Sequence, residues 1–313
     1  MSNINQFLTI KIGFSDFWKK FDPTYNWFII FLKKYYNVIL SNNPDFLIYS
    51  CYGERHKSFN CVKIFYTPEN VRPNFTECDY ALSFDFINNI NHFRLPLYGI
   101  SFGLEPEILL KKDLDFEKLF EEKNGFCAMV VSNERAKERL SFYEKLSKYK
   151  KVDSGGKVLN NIGGPVNDKM QFISNYRFTF AFENSSYNGY VTEKIYEPMF
   201  VNSIPLYWGS ESVSLDFNTK SFINLHDFFS DEECIDKIME LESDKYKYIE
   251  YLKQPWFNNN EINVYINREN IKNYFDKIFF TPIDPSSSWF LSKSYKFKFK
   301  AIDMYRNLRY GKK

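Results

Sequence analysis

The sequence predicts an α/β fold made of two doubly wound domains, and three observations predict it. Its 313 residues exceed the usual size of a single hydrophobic core, so two domains of roughly 100–150 residues are expected. Short apolar runs rich in β-branched and aromatic residues alternate with longer amphipathic stretches, as in a parallel sheet covered on both faces. The alternation pauses across a charged stretch, 103–124, and then starts again.

In the first set, Thr9–Phe14 reads as a strand and Tyr25–Tyr35 as an amphipathic helix. Asn37–Leu40, Asp45–Tyr49 and Val62–Tyr66 follow as strands, the last closed by Thr-Pro-Glu-Asn. Tyr80–Phe84 and Phe93–Leu97 complete the set, and 103–124 reads as a helical connector. The second set opens with strand Cys127–Val131, helix Arg135–Tyr149 and strand Lys151–Asp153. A helix near Asp168–Asn175 leads to strand Phe178–Phe182, and helix Thr192–Asn202 to strand Ile204–Trp208. Strand Phe222–Asn224 and helix Ser230–Glu240 close the pattern. The expected domains are 1–124 and 125–270, followed by a helical, basic tail over 271–313.

Composition narrows the function. Hydrophobic content of 44% with 26% charged residues is that of a soluble globular protein. A net charge of +2 gives no general case for nucleic acid. The five cysteines lack CxxC spacing, so free thiols in a reducing compartment are expected. Three histidines without HExxH-type pairing argue against a histidine metal centre. No basic segment followed by a long apolar run opens the chain, and no stretch approaches 18 apolar residues. A cytoplasmic protein is the expectation.

In open α/β sheets, ligands sit beyond the carboxyl ends of the strands. Glu69, Ser132–Asn133, Glu183–Asn184 and Gly209 all fall there. The stretch "FAFENSSYNGYVTEKIYEPMFVNSIPLYWGS" (180–210) gathers Glu183, Asn184, Tyr190, Glu193 and Lys194 in one strand-to-helix turn. Thr192 would cap the helix, its first N–H groups would attract an anion, and Lys194 would add a full charge. A well-capped surface helix accounts for the same residues. Arg139, early in the helix of "VVSNERAKERLSFYEKL", could grip a diphosphate bidentately or simply face solvent. The Gly-rich "DSGGKVLNNIGG" (153–164) is neither a Walker A loop nor GxGxxG. In "IFYTPENVRPNF" (64–75), Glu69 is either a general base or a turn acid.

Taken together, these stretches resemble a known family. Residues 180–210 closely resemble the signature of the α-1,3-fucosyltransferases, glycosyltransferase family 10: F-E-N-S/T, then Y-V-T-E-K-I, then I-P-I/L-Y-W-G. "YTPENVRPNFTECDYALSFD" resembles the family's acceptor-side segment, and "VVSN…RLSFY", "VDSGGKVLNN" and "DFNTKSFINLHDF" resemble its donor-side segments. The resemblance spans about residues 60–230. It implies a GT-B architecture, two Rossmann-like domains facing across a cleft, the first for the acceptor and the second for GDP-fucose. It also implies inverting transfer of L-fucose from GDP-β-L-fucose to a glycan hydroxyl, α-1,3 on an N-acetylglucosamine-type residue. Glu69 matches the general base, and Arg139 and Lys194 match the pyrophosphate-binding cations. Asn184, Tyr190 and Glu193 match residues around the ribose, phosphate and fucose. One departure is Pro68, where the family commonly has Gly.

No DxD motif stands at a strand end, so the two cations take the place of a metal. No cofactor is expected to be required, with Mn²⁺ at most stimulating. A competing class is a non-catalytic nucleotide-sugar or glycan-binding protein of the same fold, which would need no Glu69. The tail, "SYKFKFKAIDMYRNLRYGKK" (294–313), sets seven Lys/Arg among aromatics against one Asp. It suits peripheral contact with an anionic membrane, on the inner face for a cytoplasmic protein, or else packs its aromatics on the body. "YKFKFK" alternates like a strand.

Overall fold

In the computed structural model the described residues are 7–100, 105–134, 136–281, 295–302 and 304. The chain divides into two compact units, one drawn from residues up to Leu95 and from Arg268 onward, the other spanning Pro96–Asn267.

The first unit is a six-stranded, all-parallel sheet. Its strands are β1 (Thr9–Ser15), β2 (Asn37–Leu40), β3 (Phe46–Tyr49), β4 (Val62–Tyr66), β5 (Tyr80–Ser83) and β6 (His92–Arg94). The order is β2-β1-β3-β4-β5-β6, so the chain reverses its direction of travel between β1 and β3. Register is set by apolar pairs such as Phe14 opposite Ile48 and Ile48 opposite Ile64. Between β1 and β2 runs α1 (Trp27–Leu32), whose start is fixed by Asn26 accepting the Ile29 N–H at 3.1 Å. It is shorter than the periodicity suggests, because only Phe28, Ile29, Phe31 and Leu32 bury against the sheet.

The second unit repeats the plan. A short helix, α2 (Phe116–Glu122), precedes β7 (Gly125–Met129), α3 (Lys137–Tyr149) and β8 (Val152–Ser154). Next come α4 (Lys169–Ile173), β9 (Tyr176–Phe182), α5 (Glu193–Phe200), β10 (Ile204–Trp208) and β11 (Ile223–Asn224). The parallel order β11-β10-β9-β7-β8 places the reversal between β7 and β9. Phe178, Phe182, Ile195, Met199, Leu206, Ile235 and Trp256 belong to one continuous core. Helix α6 (Asp231–Ser243) is the one read at Ser230–Glu240, and α7 (Lys245–Lys253) extends that core beyond the elements the sequence predicts.

The domain ends differ from the sequence expectation in two places. Residues from Pro96 to 124 belong with the second unit, where Tyr98 donates to Asp216 at 2.6 Å and Lys111 N–H to Asn260 at 2.7 Å. After Asn267 the chain returns to the first unit as α8 (Arg268–Phe280) rather than forming a separate tail. Its buried stripe of Ile271, Tyr274, Phe275 and Ile278 supplies about 1.5–3 kcal/mol per side chain. Tyr36 donates to Asp276 at 2.5 Å, and Tyr274 donates to the Ala81 carbonyl at 3.2 Å.

Residues 295–302 and 304 are helical, not the strand that "YKFKFK" suggests. The helix brings Tyr295 and Phe299 to one side, where Lys57 lies 5.8 Å from the first ring and Arg55 lies 5.4 Å from the second. Lys298 pairs with Glu54 at 3.2 Å.

Candidate functional site

At the carboxyl end of the second sheet, the turn between β9 and α5 is organised by a buried carboxylate. Glu183 follows β9 directly and is fully buried. Its oxygens accept from the Thr192 N–H at 2.7 Å and from the Thr192 hydroxyl at 2.7 and 3.0 Å. Thr192 caps α5, its hydroxyl accepting the Lys194 N–H at 3.4 Å. The Lys194 ammonium curls back and donates to Thr192 Oγ1 at 3.0 Å, Glu183 Oε2 at 3.3 Å and Glu193 Oε1 at 3.4 Å. Burial opposes its charge, but Glu183 and Glu193 favour it more strongly and raise its pKa above the ordinary lysine value. Burial pushes the Glu183 carboxyl up, against the pull of Lys194 and Thr192. Lys194 is therefore a fixed, charged ammonium.

Gly209, just past β10, lets this carboxylate lie so close. A Cβ there would come within 2.6 Å of Glu183 Cγ and 2.7 Å of the Tyr207 hydroxyl oxygen. The β9–α5 turn is further tied down by Ser186 donating to the Gly209 carbonyl at 2.7 Å, and by Gly189 N–H donating to Ser210 at 2.9 Å.

Arg139, near the start of α3, lies across the point where the sheet reverses. Its Nη2 donates to the carbonyls of Phe182 at 2.8 Å and Glu183 at 3.2 Å, and to Asn184 Oδ1 at 3.2 Å. Its Nη1 reaches the Asn133 carbonyl, past the end of β7, at 3.4 Å. The side chain is 1% exposed, so it offers an anion charge at short range rather than an open fork. Burial lowers its pKa, with Glu183 opposing.

Two recesses open at this edge. One of about 790 Å³ is lined by Ser132, Asn133, Glu134, Lys157 and Leu159, and one of about 380 Å³ by Lys137, Ser141, Phe182, Trp208 and His226. The Gly-rich stretch forms a wall of the first. Gly156 has to be glycine because a Cβ would meet the Val131 carbonyl oxygen at 2.1 Å.

Of the sequence-predicted residues, Arg139, Asn184, Glu193 and Lys194 are joined through Glu183 and Thr192 into one set. Tyr190 is buried in the same turn, its N–H donating to the Tyr187 carbonyl at 3.0 Å. Such an arrangement suits an anion whose neighbouring hydroxyls reach exposed Asn184. Among the described residues no group of three or more His, Cys, Asp or Glu is placed to hold a metal ion.

Glu69 belongs to the first unit, in the loop after β4. It is exposed, its N–H donates to Thr67 Oγ1 at 3.0 Å, and its carboxylate accepts from the Tyr52 hydroxyl at 2.7 Å. Pro68 is accommodated in this loop without a cis bond. Sequence reasoning missed Tyr52, because nothing in the spacing of "CYGERH" points to Glu69. It also left Glu183 without a role, although an acid between an apolar strand and a capped helix start was the available signal.

Comparison with known proteins gives the site a family context. Residues 12–101 match the model of the alpha-(1,3)-fucosyltransferase FucT N-terminal domain, and residues 120–277 match that of the glycosyltransferase family 10 (fucosyltransferase) C-terminal part. Alpha-(1,3)-fucosyltransferase FucT of Helicobacter pylori is 35% identical, over 78% of this chain and 59% of its own length. The chain thus spans little more than half of that relative. A crystal structure of an alpha1,3-fucosyltransferase superposes with a TM-score of 0.79 at 30% identity, covering 92% of this chain and 94% of the other. A structure of alpha1,3-fucosyltransferase with GDP-fucose superposes at 0.75 with 29% identity, covering 91% and 95%.

Proposed function

Because the chain belongs to glycosyltransferase family 10, the fucosyltransferases, we propose that it transfers L-fucose from GDP-β-L-fucose to a hydroxyl of a glycan acceptor. Its two parallel α/β sheets are those of the GT-B fold. The observation that carries the proposal is the ammonium of Lys194, held charged at the start of α5 beside Arg139 and exposed Asn184.

In the proposed reaction the diphosphate of GDP-fucose lies at the β9–α5 turn. Lys194 and the positive end of the α5 dipole stabilise the charge that builds on departing GDP, with buried Arg139 adding to the local potential. Glu193, with a side chain 28% exposed, is the Lys194 partner that an incoming phosphate oxygen displaces. Asn184 and Tyr190 border the ribose and fucose. Glu69 takes the acceptor hydroxyl's proton as the anomeric carbon becomes oxocarbenium-like, which gives inversion and an α-linked product. An N-acetylglucosamine-type residue, fucosylated α-1,3, is the proposed acceptor. No metal is needed in this scheme, because protein cations face the leaving group. Peripheral contact with an anionic membrane through the C-terminal segment is proposed alongside it.

The test is incubation with GDP-fucose and an acceptor panel, read by mass spectrometry for a gain of one deoxyhexose. A protein that binds GDP but adds no deoxyhexose to any panel glycan is a binding protein, and the proposal fails.

A further inference from the structure

The first sheet has its own reversal, between β1 and β3, and the loops leaving those two strands are tied together there. Asp16, directly after β1, takes up a left-handed φ of 59°, uncommon outside glycine though tolerated by Asp. Its side chain is 5% exposed. The carboxylate accepts from the backbone N–H of Arg55 at 2.9 Å, and from both the N–H and ring Nδ1 of His56 at 2.7 Å. Its backbone carbonyl accepts the Tyr52 N–H at 2.9 Å. His56 is then held on its other nitrogen by Glu77 at 3.2 Å, with the Tyr49 ring stacked on it at 3.9 Å. A sheet's reversal is where open α/β folds bind ligands, and strained backbone clusters at functional sites.

This knot fixes two aromatic rings. Trp18, two residues past Asp16, is 41% exposed although Phe21 and Phe17 support it at 5.3 and 5.6 Å. Those two phenylalanines are themselves stacked at 3.9 Å, so the indole rests on a packed base. Tyr52 lies 6.2 Å from Trp18, edge to face at 78°, and its hydroxyl donates to Glu69. An exposed indole, a tyrosine and the carboxylate thus form one continuous surface.

We propose that Trp18 and Tyr52 form the binding subsite for the acceptor sugar. The apolar C–H face of a pyranose lies on the indole, while its hydroxyl edge turns toward Glu69. Tyr52 is a positioning residue: its hydroxyl holds one carboxylate oxygen and leaves the other for the sugar hydroxyl. This rests on the role proposed for Glu69, and the experiment separates the two.

Wild-type protein is assayed first, with GDP-fucose and N-acetyllactosamine and then with the wider glycan panel. If no glycan is fucosylated, the proposed function falls and this subsite with it. Given wild-type transfer, Trp18→Ala should raise the acceptor KM about ten-fold, the equivalent of roughly 1.4 kcal/mol. Its kcat and its calorimetric affinity for GDP should stay near wild type, and Trp18→Phe should restore most of the KM. Tyr52→Phe should instead lower kcat about ten-fold with little change in acceptor KM, a split that loss of packing does not produce. Trp18→Gln repeats the first measurement should the alanine variant not fold. An unchanged acceptor KM in a folded Trp18 variant overturns the subsite, and an unchanged kcat in Tyr52→Phe overturns the positioning role.

Discussion

Glu69 is exposed and its carboxylate accepts from the Tyr52 hydroxyl, so Glu69→Gln removes charge without leaving a buried group unpaired. The variant should fold and bind GDP as before, while turnover falls at least ~100-fold, the low end for a positioned general base. Near-normal turnover would take Glu69 out of the reaction. Lys194 is different, because its ammonium is a partner of fully buried Glu183. Lys194→Ala should weaken GDP in calorimetry by about ten- to hundred-fold, as expected for a lost charged hydrogen bond of roughly 1.5–3 kcal/mol. It should also lower the melting temperature, since Glu183 would lose a compensating charge. GDP affinity unchanged in folded protein would mean that the donor lies elsewhere. On the proposed placement of Lys194 and Arg139 opposite the leaving group, activity should largely survive EDTA. Complete loss that Mn²⁺ restores would contradict that. The Thr192 cap and the first-turn positions of Glu193 and Lys194 were legible from the sequence, because a capped helix start displays its first-turn residues. Glu183 was not, because whether a strand-end carboxylate turns inward depends on the space that Gly209 leaves, and Gly209 belongs to a different strand's end.

At the scale of elements, the short strands were legible because each is a compact apolar run, and their parallel order followed from the alternation. What the pattern left out was decided by long-range packing. The apolar stripe of α8 is visible in the sequence, but not that it packs on the first sheet some 190 residues upstream, with Tyr274 on the Ala81 carbonyl. Phe275 is fully buried there, so Phe275→Ala should cost about 3–5 kcal/mol, read by urea unfolding. A cost within about 0.5 kcal/mol, the usual range for surface positions, would mean that α8 is not docked. Lys111 tests the stretch before β7, which was expected to be a helical connector. Its ammonium is buried 3.8 Å from the Trp256 ring, with no hydrogen-bond partner among the described residues. Burial lowers its pKa from 10.5 to about 7. Between those values the unfolded chain binds the extra proton, so stability should rise with pH across that window. Lys111→Met should raise the melting temperature most near pH 7 and below, with the gain shrinking toward pH 10.5. A gain independent of pH would show that the ammonium is not desolvated, although the Trp256 ring offsets part of the penalty.

For the molecule as a whole, the C-terminal segment bears on where the protein docks. Residues 294, 303 and 305–313 of the basic segment lie outside the described residues. Within the described helix, Tyr295 and Phe299 are taken up by Lys57 and Arg55, while Phe297 is 68% and Met304 58% exposed. Lys296, Lys298 and Lys300 are exposed beside them, although Lys298 is engaged with Glu54. An outward face of apolar side chains flanked by lysines is what an interfacial helix presents to an anionic bilayer. Each Lys or Arg near such a surface adds about 1 kcal/mol, and screening removes that contribution as salt rises. The full chain should therefore float with phosphatidylserine vesicles at low salt and be released at high salt. Phe297→Asp should weaken binding without altering the fold, since that side chain is largely exposed. Deleting 294–313 should abolish binding yet leave fucosyl transfer to a soluble acceptor largely intact, because none of the residues proposed for the reaction lies in that segment. If the full chain ignores the vesicles at low salt, the membrane role is gone, and the helix serves only to pack Tyr295 and Phe299 against the turn at Glu54–Lys57.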